Sequence, residues 1–399
     1  MKTRFILSAV MTLLLAGAAH AQISVKLGVL NDQSGVYSDL TGQGSVVAAR
    51  LAVEDFKPAD KGIKVEIISA DHQNKPDIGA SIARQWFDRD GVDVILDVPT
   101  SSVVLAINAL TREKNKILIS SGGGTSDLTG SQCSPNTIHW TYDTWALANG
   151  TATAMVKRGG DTWFFLTADY AFGHALERDA AAQVTKAGGK VLGAVRHPFP
   201  GQDFASFILQ AQSSGAKVIG LANAGGDFVN AMKQAAEFGV VQGGQSLAGL
   251  LVFITDVHAL GLPVAQGLVM TEAFYWDLND QTRAWSNRYA EKMGGKMPSM
   301  AHAGVYAAAL HYLKAVEAVK DKDPAKVMAK MKELPTDDPL FGKGSIRPDG
   351  RKIHDMHLFE VKKPGESKSA WDLYKHLATV PADQAFRPLN EGGCPLVKG

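Results

Sequence analysis

The sequence has 399 residues, of which 45% are hydrophobic and 20% are charged, with 41 Lys and Arg against 40 Asp and Glu. This composition excludes a disordered chain, a collagen and a disulfide-dense mini-protein, and the balanced charge gives no electrostatic footprint for nucleic acid or an acidic membrane surface. At roughly 150 residues per domain, the length predicts two domains.

The first 21 residues have the pattern of a secretory signal peptide. Lys2 and Arg4 precede an apolar run over residues 5–18, and residues 19–21 (Ala-His-Ala) match the small-residue cleavage motif. We therefore expect cleavage after Ala21 and an exported, soluble mature chain. A membrane anchor is the alternative, but the run is shorter than the roughly 20 apolar residues that a spanning helix needs.

The sequence contains two cysteines, Cys133 and Cys394. Export implies an oxidising compartment, in which two cysteines commonly pair. A disulfide between them would tie the C-terminal end of the chain to its middle. A catalytic thiol is the alternative, but neither cysteine lies in a recognisable nucleophile motif.

Apolar runs of strand length alternate along the chain with segments of helical periodicity. Strands are predicted over residues 25–30, 65–69, 92–98, 116–120, 163–167, 191–196, 218–222, 250–254, 268–271 and 357–361. Helices are predicted over residues 45–56, 78–87, 145–157, 173–187, 280–293 and 301–320, from Ser101 onward with Ser102 as its cap, and around Ile208 and Met232. This alternation, which restarts after Trp140, predicts an α/β fold with two doubly wound parallel-sheet lobes.

The loops that follow the predicted strands are the candidate site, because ligands of such sheets bind beyond the carboxyl ends of the strands. Hydroxyls and free backbone N–H groups at helix starts accept anions, so a carboxylate ligand could be bound there without a lysine. The residues that supply these hydroxyls and N–H groups are Ser101 and Ser102 after the third strand, and Gly122, Gly123, Gly124 and Thr125 after the fourth. The alternative is that the two serines only cap a helix.

Aromatic residues are concentrated at the same strand ends and at the segments where the chain could cross between lobes, which are residues 273–277 and 342–352. Asp256 follows a predicted strand and could bind an ammonium or a hydroxyl group, or be an ordinary turn residue. The aromatic residues of this group are Tyr37, Trp140, Tyr142, Trp145, Tyr170, Tyr275 and Trp276.

No motif for catalysis or for a cofactor is present. The sequence has no GxGxxG after its first strand, no P-loop, no HExxH and no GxSxG. His354 and His357 are spaced i, i+3, but a metal site would need more ligands and a helix, so we favour a charged segment that leads into a strand. We therefore expect no cofactor, no metal and no enzymatic activity. An exported hydrolase is the rival from another class, and it would need a nucleophile and a base that the motifs do not supply.

Several short segments, in this order and spacing, resemble the periplasmic solute-binding proteins of the branched-chain amino-acid type, which serve ABC importers. The resemblance covers essentially the whole mature chain. Its segments are residues 27–29 (Leu-Gly-Val), 34–37 (Ser-Gly-Val-Tyr), 49–55 (Ala-Arg-Leu-Ala-Val-Glu-Asp), 119–121 (Ile-Ser-Ser), 127–129 (Asp-Leu-Thr), 169–173 (Asp-Tyr-Ala-Phe-Gly) and 186–189 (Lys-Ala-Gly-Gly).

The resemblance implies a clamshell of the type I periplasmic binding protein class, with two lobes joined by three crossings. Residues 22–141 and 275–347 would form the first lobe, and residues 142–274 and 348–399 the second. A ligand carboxylate would be bound by Ser101, Ser102 and the segment 122–125, and the cleft aromatics would be Tyr37 and Tyr170. An acidic residue of the second lobe that meets an amino group maps near Asp256. The three glycines replace the family's usual Ala-rich turn, so we expect a wider pocket floor.

The segment 139–145 (His-Trp-Thr-Tyr-Asp-Thr-Trp) resembles the members associated with aromatic acids. Tyr142 and Trp145 would then stack on a ring of the ligand. The resemblance thus implies a periplasmic, monomeric protein that captures a small carboxylate-bearing solute, preferably an aromatic or apolar acid, and delivers it to an ABC permease in the inner membrane. The alternatives are a branched-chain amino acid, which Asp256 or Asp227 would have to meet, a small amide or urea, and a sensor that presents its closed form to a receptor.

Overall fold

The computed structural model describes residues 22–397. The predicted signal peptide, with its cleavage site after Ala21, lies outside the described residues. Two parallel sheets dominate the molecule, and each forms the centre of one α/β lobe. The predicted fold class is therefore confirmed by the sheet topology.

The first lobe is built on a five-stranded parallel sheet with the order β2-β1-β3-β4-β5. Its central strands are short apolar runs that are buried along their whole length, as expected of a parallel sheet covered on both faces. The strands are β1 Ile23–Asn31, β2 Ile63–Asp71, β3 Val94–Asp97, β4 Ile117–Ser120 and β5 Thr137–His139. The helices between them are α1 Gly42–Phe56, α2 Pro76–Gln85 and α3 Ser101–Lys114.

The second lobe is built on a four-stranded parallel sheet with the order β7-β6-β8-β9. Its strands are β6 Thr162–Ala168, β7 Lys190–His197, β8 Val218–Ala222 and β9 Ser246–Gly249. The helices around them are α4 Thr144–Lys157, α5 Ala171–Lys186, α6 Ala205–Ser213 and α7 Gly225–Glu237.

The region after β9 departs from the predicted pattern. The strand predicted over residues 250–254 is wrong, because β9 ends at Gly249 and helix α8, Ile254–Leu260, begins where that strand was expected to end. A short apolar run does not distinguish a strand from a buried turn of helix. Helix α9, Leu262–Ala265, follows, and β10, Val269–Glu272, opens a three-stranded antiparallel sheet that periodicity did not predict.

The last third of the chain serves both lobes. Helices α10 Asp280–Lys292, α11 Met300–Val319 and α12 Pro324–Glu333 form one group, in which α10 and α11 pack on α1 and α12 packs on α11. Strands β11 Thr336–Asp338, β12 Gly342–Ile346 and β13 Lys352–Ile353 form a small antiparallel sheet. Strands β14 Met356–Val361 and β15 Tyr374–Val380 complete the sheet that β10 opens, and the short helix α13, Ala382–Ala385, follows.

The crossing segment after β5 is held by the segment around β13. The buried guanidinium of Arg351 donates from Nη1 to the Tyr142 carbonyl at 3.0 Å and from Nη2 to the Trp140 carbonyl at 2.5 Å. His354 Nε2 lies 2.8 Å from the Thr141 carbonyl oxygen. Two crossing segments thus lie side by side as a connected hinge, while the residue limits proposed for the two lobes stay a prediction.

A disulfide joins Cys133 to Cys394, with their Cα atoms 5.6 Å apart. It closes a sequence separation of 261 residues and fastens the C-terminal tail to the loop that precedes β5. Arg387, in the same tail, donates to the Ser126 carbonyl at 2.9 Å. In the chain-entropy model so long a loop gives an upper stabilisation of roughly 5 kcal/mol.

Candidate functional site

A narrow cavity lies where the carboxyl ends of the two parallel sheets face each other. Strands β3, β4, β6 and β8 end beside it, which is the position expected of a ligand site in open α/β sheets. The empty space between the lining residues is about 220 Å³, and this figure includes space that is open to solvent. The lining residues are Tyr37, Leu40, Pro99, Gly122, Tyr142, Tyr170, Phe172, Ala224, Leu251 and Phe253.

The lining is aromatic and apolar, with three tyrosines, two phenylalanines and no charged side chain. Tyr37, Tyr142 and Tyr170 supply its polar side-chain groups. Burial raises the pKa of each of these hydroxyls well above the ordinary tyrosine value, so they stay protonated and able to donate. The cavity therefore suits a small apolar or aromatic body that carries a few hydrogen-bond acceptors.

Two tyrosines meet across the cleft. The hydroxyl oxygens of Tyr37 in the first lobe and Tyr170 in the second lie 2.6 Å apart. Phe199 stacks on Tyr170 with ring centroids 4.1 Å apart, and on Tyr37 with centroids 5.5 Å apart. This stack holds both tyrosine rings in place at the wall of the cavity.

The glycine-rich loop after β4 forms one side of the cavity. Tyr142 donates its hydroxyl hydrogen to the Gly122 carbonyl at 2.6 Å. The Thr125 amide donates to the Ser101 hydroxyl at 3.2 Å, so those two predicted residues meet, but they lie behind the lining. Gly123 is also placed behind it, where its carbonyl oxygen lies 2.5 Å from His139 Nε2.

The glycines do not widen the pocket floor as predicted, because neighbouring groups occupy the space that side chains would fill. A Cβ added at Gly124 would lie 2.8 Å from the Phe172 ring, and one at Gly122 would lie 2.8 Å from both Pro99 Cα and Asp97 Oδ1. Because Gly124 has no side chain, the Phe172 ring can lie against it and line the cavity.

The N-terminus of α3 lies beside the cavity, directly after the lining residue Pro99. Its N-cap is Thr100 rather than the predicted Ser102, which lies inside the first turn. The Thr100 side chain caps no N–H group of the helix and donates its hydroxyl hydrogen to Asn74 instead. The first N–H groups of a helix have no acceptor within it, so this end carries partial positive charge that suits an anion.

The acidic residues near the cleft are buried and engaged. Asp256 Oδ2 accepts the amide of Phe253, the N-cap residue of α8, at 2.9 Å, and Asp256 is not part of the lining. Asp227 Oδ1 accepts the Gly201 amide at 2.9 Å, whereas Asp227 Oδ2 has no hydrogen-bond partner among the described residues and lies 3.9 Å from His197 Nδ1. Burial raises the pKa of both carboxyls to about 7.

Two predicted aromatic contacts lie elsewhere. Tyr275 belongs to the core of the second lobe, where it stacks on Tyr374 with centroids 4.9 Å apart and donates to the Trp371 carbonyl at 3.3 Å. Trp145 lies on α4, half-buried and outside the lining. Neither ring borders the cavity, because an aromatic residue at a strand end or crossing can face the core as readily as the cleft.

Several lining residues were not predicted from the sequence to have a role in the site. Phe172 stands in the recognised segment 169–173, two positions after Tyr170, and this spacing was the one available signal. Leu251 and Phe253 lie in the run that was predicted to be a strand. Leu40 and Ala224 are apolar residues with no motif around them.

Across residues 22–397, no group of three or more His, Cys, Asp or Glu side chains is arranged to bind a metal ion. The same residues include no helix that is long and apolar enough to cross a membrane.

Comparison with known proteins gives one consistent result. A family model described as periplasmic binding protein matches residues 24–367. The Leu/Ile/Val-binding protein homolog 6 of Brucella melitensis is 27% identical over 361 residues, which cover 88% of this chain and 90% of the relative.

Two solved structures share more of the sequence. A periplasmic binding protein from Burkholderia mallei is 53% identical, with a TM-score of 0.92 over 94% of this chain and 99% of that one. A branched-chain amino acid ABC transporter periplasmic ligand-binding protein from Burkholderia xenovorans LB400 is 43% identical, with a TM-score of 0.83 over 93% and 99% of the two chains.

Proposed function

This chain belongs to the periplasmic binding protein family, and we propose that it captures a small aromatic or apolar carboxylate by closing its two lobes. The cavity supports this most directly, because its lining has five aromatic rings, tyrosine hydroxyls and no charged side chain. The bound solute would be delivered to an ABC permease of the inner membrane. Capture and delivery are binding steps, so no covalent chemistry is part of the proposal.

The carboxylate of the solute would lie at the first-lobe side of the cavity. There the uncapped N-terminus of α3 follows Pro99, and N–H groups at such a helix end stabilise an anion without a basic side chain. Tyr37 and Tyr170 are hydrogen-bonded to each other, so the hydroxyl that accepts in this pair keeps its own hydrogen to donate to the same group. A lysine or arginine is therefore not required for this ligand class.

The ring or alkyl group of the solute would contact Tyr142, Phe172 and Phe253. Tyr142 and Phe253 already form an edge-to-face pair with centroids 5.9 Å apart. Aromatic pairs of this kind contribute about 0.5–1.5 kcal/mol beyond the burial of area, so a ligand ring would gain from the same geometry.

Closure would be the step that couples binding to delivery. The lining combines residues of both lobes, so a solute that contacts both stabilises the closed arrangement over the open one. The hinge held by Arg351 supplies connections about which lobes can rotate.

A branched-chain amino acid is the second candidate, and one observation favours it. Asp227 Oδ2 is buried without a hydrogen-bond partner among the described residues, and Asp227 lies near enough to Tyr37 and Tyr170 to raise the pKa of both hydroxyls. An ammonium group could meet this oxygen. We rank this candidate second because Asp227 is not part of the lining, its Oδ2 already faces His197 Nδ1 at 3.9 Å, and Asp256 accepts the Phe253 amide.

A thermal-shift screen of unfolded, washed and refolded protein tests the proposal. The panel holds benzoate, 3-phenylpropanoate, 4-methylpentanoate, leucine, valine, acetamide and urea. A ligand present at about 100 times its dissociation constant adds roughly 2.7 kcal/mol, which moves the unfolding midpoint by several degrees. Shifts with the carboxylates that lack an ammonium group support the proposal. Shifts confined to leucine and valine, or to the amides, overturn it.

A further inference from the structure

A direct backbone contact joins the two lobes beside the cavity. The Gly226 amide in the first turn of α7 donates to the Val36 carbonyl of the first lobe at 2.9 Å. Val36 directly precedes the lining residue Tyr37, and Gly226 lies two positions after the lining residue Ala224. We call residues 36–37 and 225–226 together the lobe latch.

The latch leaves no room for a side chain at Gly225 and little room for one at Gly226. A Cβ added at Gly225 would lie 2.5 Å from the Val36 carbonyl oxygen and 2.8 Å from Tyr37 Cδ1. One added at Gly226 would lie 3.2 Å from Val36 Cβ. The neighbour at Gly225 is a backbone carbonyl, which cannot move aside as the end of a flexible side chain can.

We propose that Gly225 and Gly226 are positioning residues for ligand capture: their lack of side chains lets the lobes touch, and this contact stabilises the closed form without touching the solute. The inference rests on capture by lobe closure as proposed above. It extends that function by assigning part of the closing free energy to backbone groups outside the cavity lining. Affinity then depends on residues that set no ligand specificity.

The test compares Gly225→Ala with Gly239→Ala, a control from the other end of α7. Both glycines have positive φ, +57° at Gly225 and +65° at Gly239, so alanine strains the backbone at both positions. A Cβ at Gly239 would meet no atom closer than 3.9 Å, whereas the one at Gly225 would clash across the cleft. Gly226→Ala is a milder second variant, because its neighbours can yield by a few tenths of an ångström.

Three measurements are made on the wild type and each variant. Thermal unfolding reports the strain that both glycine sites share. Small-angle X-ray scattering gives the radius of gyration with and without 3-phenylpropanoate and leucine, each used separately as a probe. Calorimetric titration gives the dissociation constant for each probe.

The latch predicts that Gly225→Ala has a larger radius of gyration than Gly239→Ala and binds its probe about tenfold more weakly, because its closed form is less populated. Gly226→Ala should fall between the two, and the two φ-matched variants should unfold at similar temperatures. Equal radii and equal dissociation constants for Gly225→Ala and Gly239→Ala overturn the latch. If neither probe binds the wild type, the proposed ligand class fails, while the radii still decide the latch.

Discussion

The hydroxyl oxygens of Tyr37 and Tyr170 lie 2.6 Å apart, although the two residues are separated by 133 positions and belong to different lobes. This hydrogen bond exists only when the lobes are close together. Both rings also line the cavity, so the same two side chains take part in closure and in the ligand environment.

Replacing either tyrosine by phenylalanine should weaken ligand binding while leaving the fold intact. The lost hydrogen bond is worth about 0.5–1.5 kcal/mol, which corresponds to roughly a two- to tenfold rise in the dissociation constant. Calorimetric titration of Tyr37→Phe and Tyr170→Phe measures this change. Tyr312→Phe is a matched control, since the buried Tyr312 hydroxyl has no hydrogen-bond partner in the described part of the chain. Unchanged affinity in both cleft variants would contradict a role for the pair.

Adding one methyl group at Gly124 should close the cavity. Because a Cβ there would lie 2.8 Å from the Phe172 ring, the ring must move into the space proposed for the ligand. We expect Gly124→Ala to lose at least about tenfold in affinity, a loss of roughly 1.4 kcal/mol.

Gly220→Ala is the control for that change, because a Cβ at Gly220 would lie 2.7 Å from the Phe165 ring in the core of the second lobe. Both variants crowd a phenylalanine, but only Gly124→Ala does so beside the cavity. Equal affinities in a titration would show that Phe172 does not border the ligand.

Tyr275→Phe should lower stability and leave affinity unchanged. The Tyr275 hydroxyl donates to the Trp371 carbonyl at 3.3 Å and accepts the Leu373 amide at 3.2 Å, so its loss removes both hydrogen bonds, while the Leu373 amide keeps the Trp371 carbonyl at 3.0 Å. A lost hydrogen bond costs about 0.5–1.5 kcal/mol, which urea unfolding can measure. A large loss of affinity with unchanged stability would instead indicate that Tyr275 contacts the ligand.

The contribution of Asp97 to the stability of the fold should fall as the pH rises from about 4 to about 7. Burial raises the pKa of Asp97 to about 7 from an ordinary value of 3.8, so the unfolded chain releases its proton first as the pH rises. Burial acts in the same direction on the pKa of Asp227 and Asp256. Burial lowers the pKa of His72 and His302 to about 4, so the contribution of these histidines to stability has the opposite sign.

Asp97→Asn should remove the contribution of Asp97 to the pH dependence of the free energy of unfolding. Urea unfolding at about pH 5 and about pH 8 should show a larger gain over the wild type at the higher pH, because only there does the wild type bear the full cost of the buried charge. Asp60→Asn, which removes an exposed carboxyl, is the control. A gain that does not grow with pH would mean that Asp97 ionises without cost.

Much of the fold could be predicted because its central strands are apolar on both faces. The buried runs at β3, β4 and β8 can be recognised without knowledge of their neighbours, and the helices between them follow from periodicity. The run at residues 250–254 could not be resolved in this way, since apolar composition alone does not separate a strand from a buried connection such as residues 250–253, which lead into α8.

The residues of the candidate site could be predicted only where the end of a strand determines the direction in which a side chain points. Tyr170 lies two residues after the end of β6 and faces the cleft, whereas Tyr275, at a crossing, packs into the second lobe. Phe199, Leu251 and Phe253 reach the cleft through the packing of the second lobe. No local signal in the sequence reports that kind of placement.

The account is tested most directly by calorimetric titration with 4-methylpentanoate and leucine, which differ only in the α-ammonium group. The cavity lining has no charged side chain, so the account predicts that 4-methylpentanoate binds more tightly than leucine. Tighter binding of leucine, lost again in Asp227→Asn, would contradict the account and establish the amino-acid alternative.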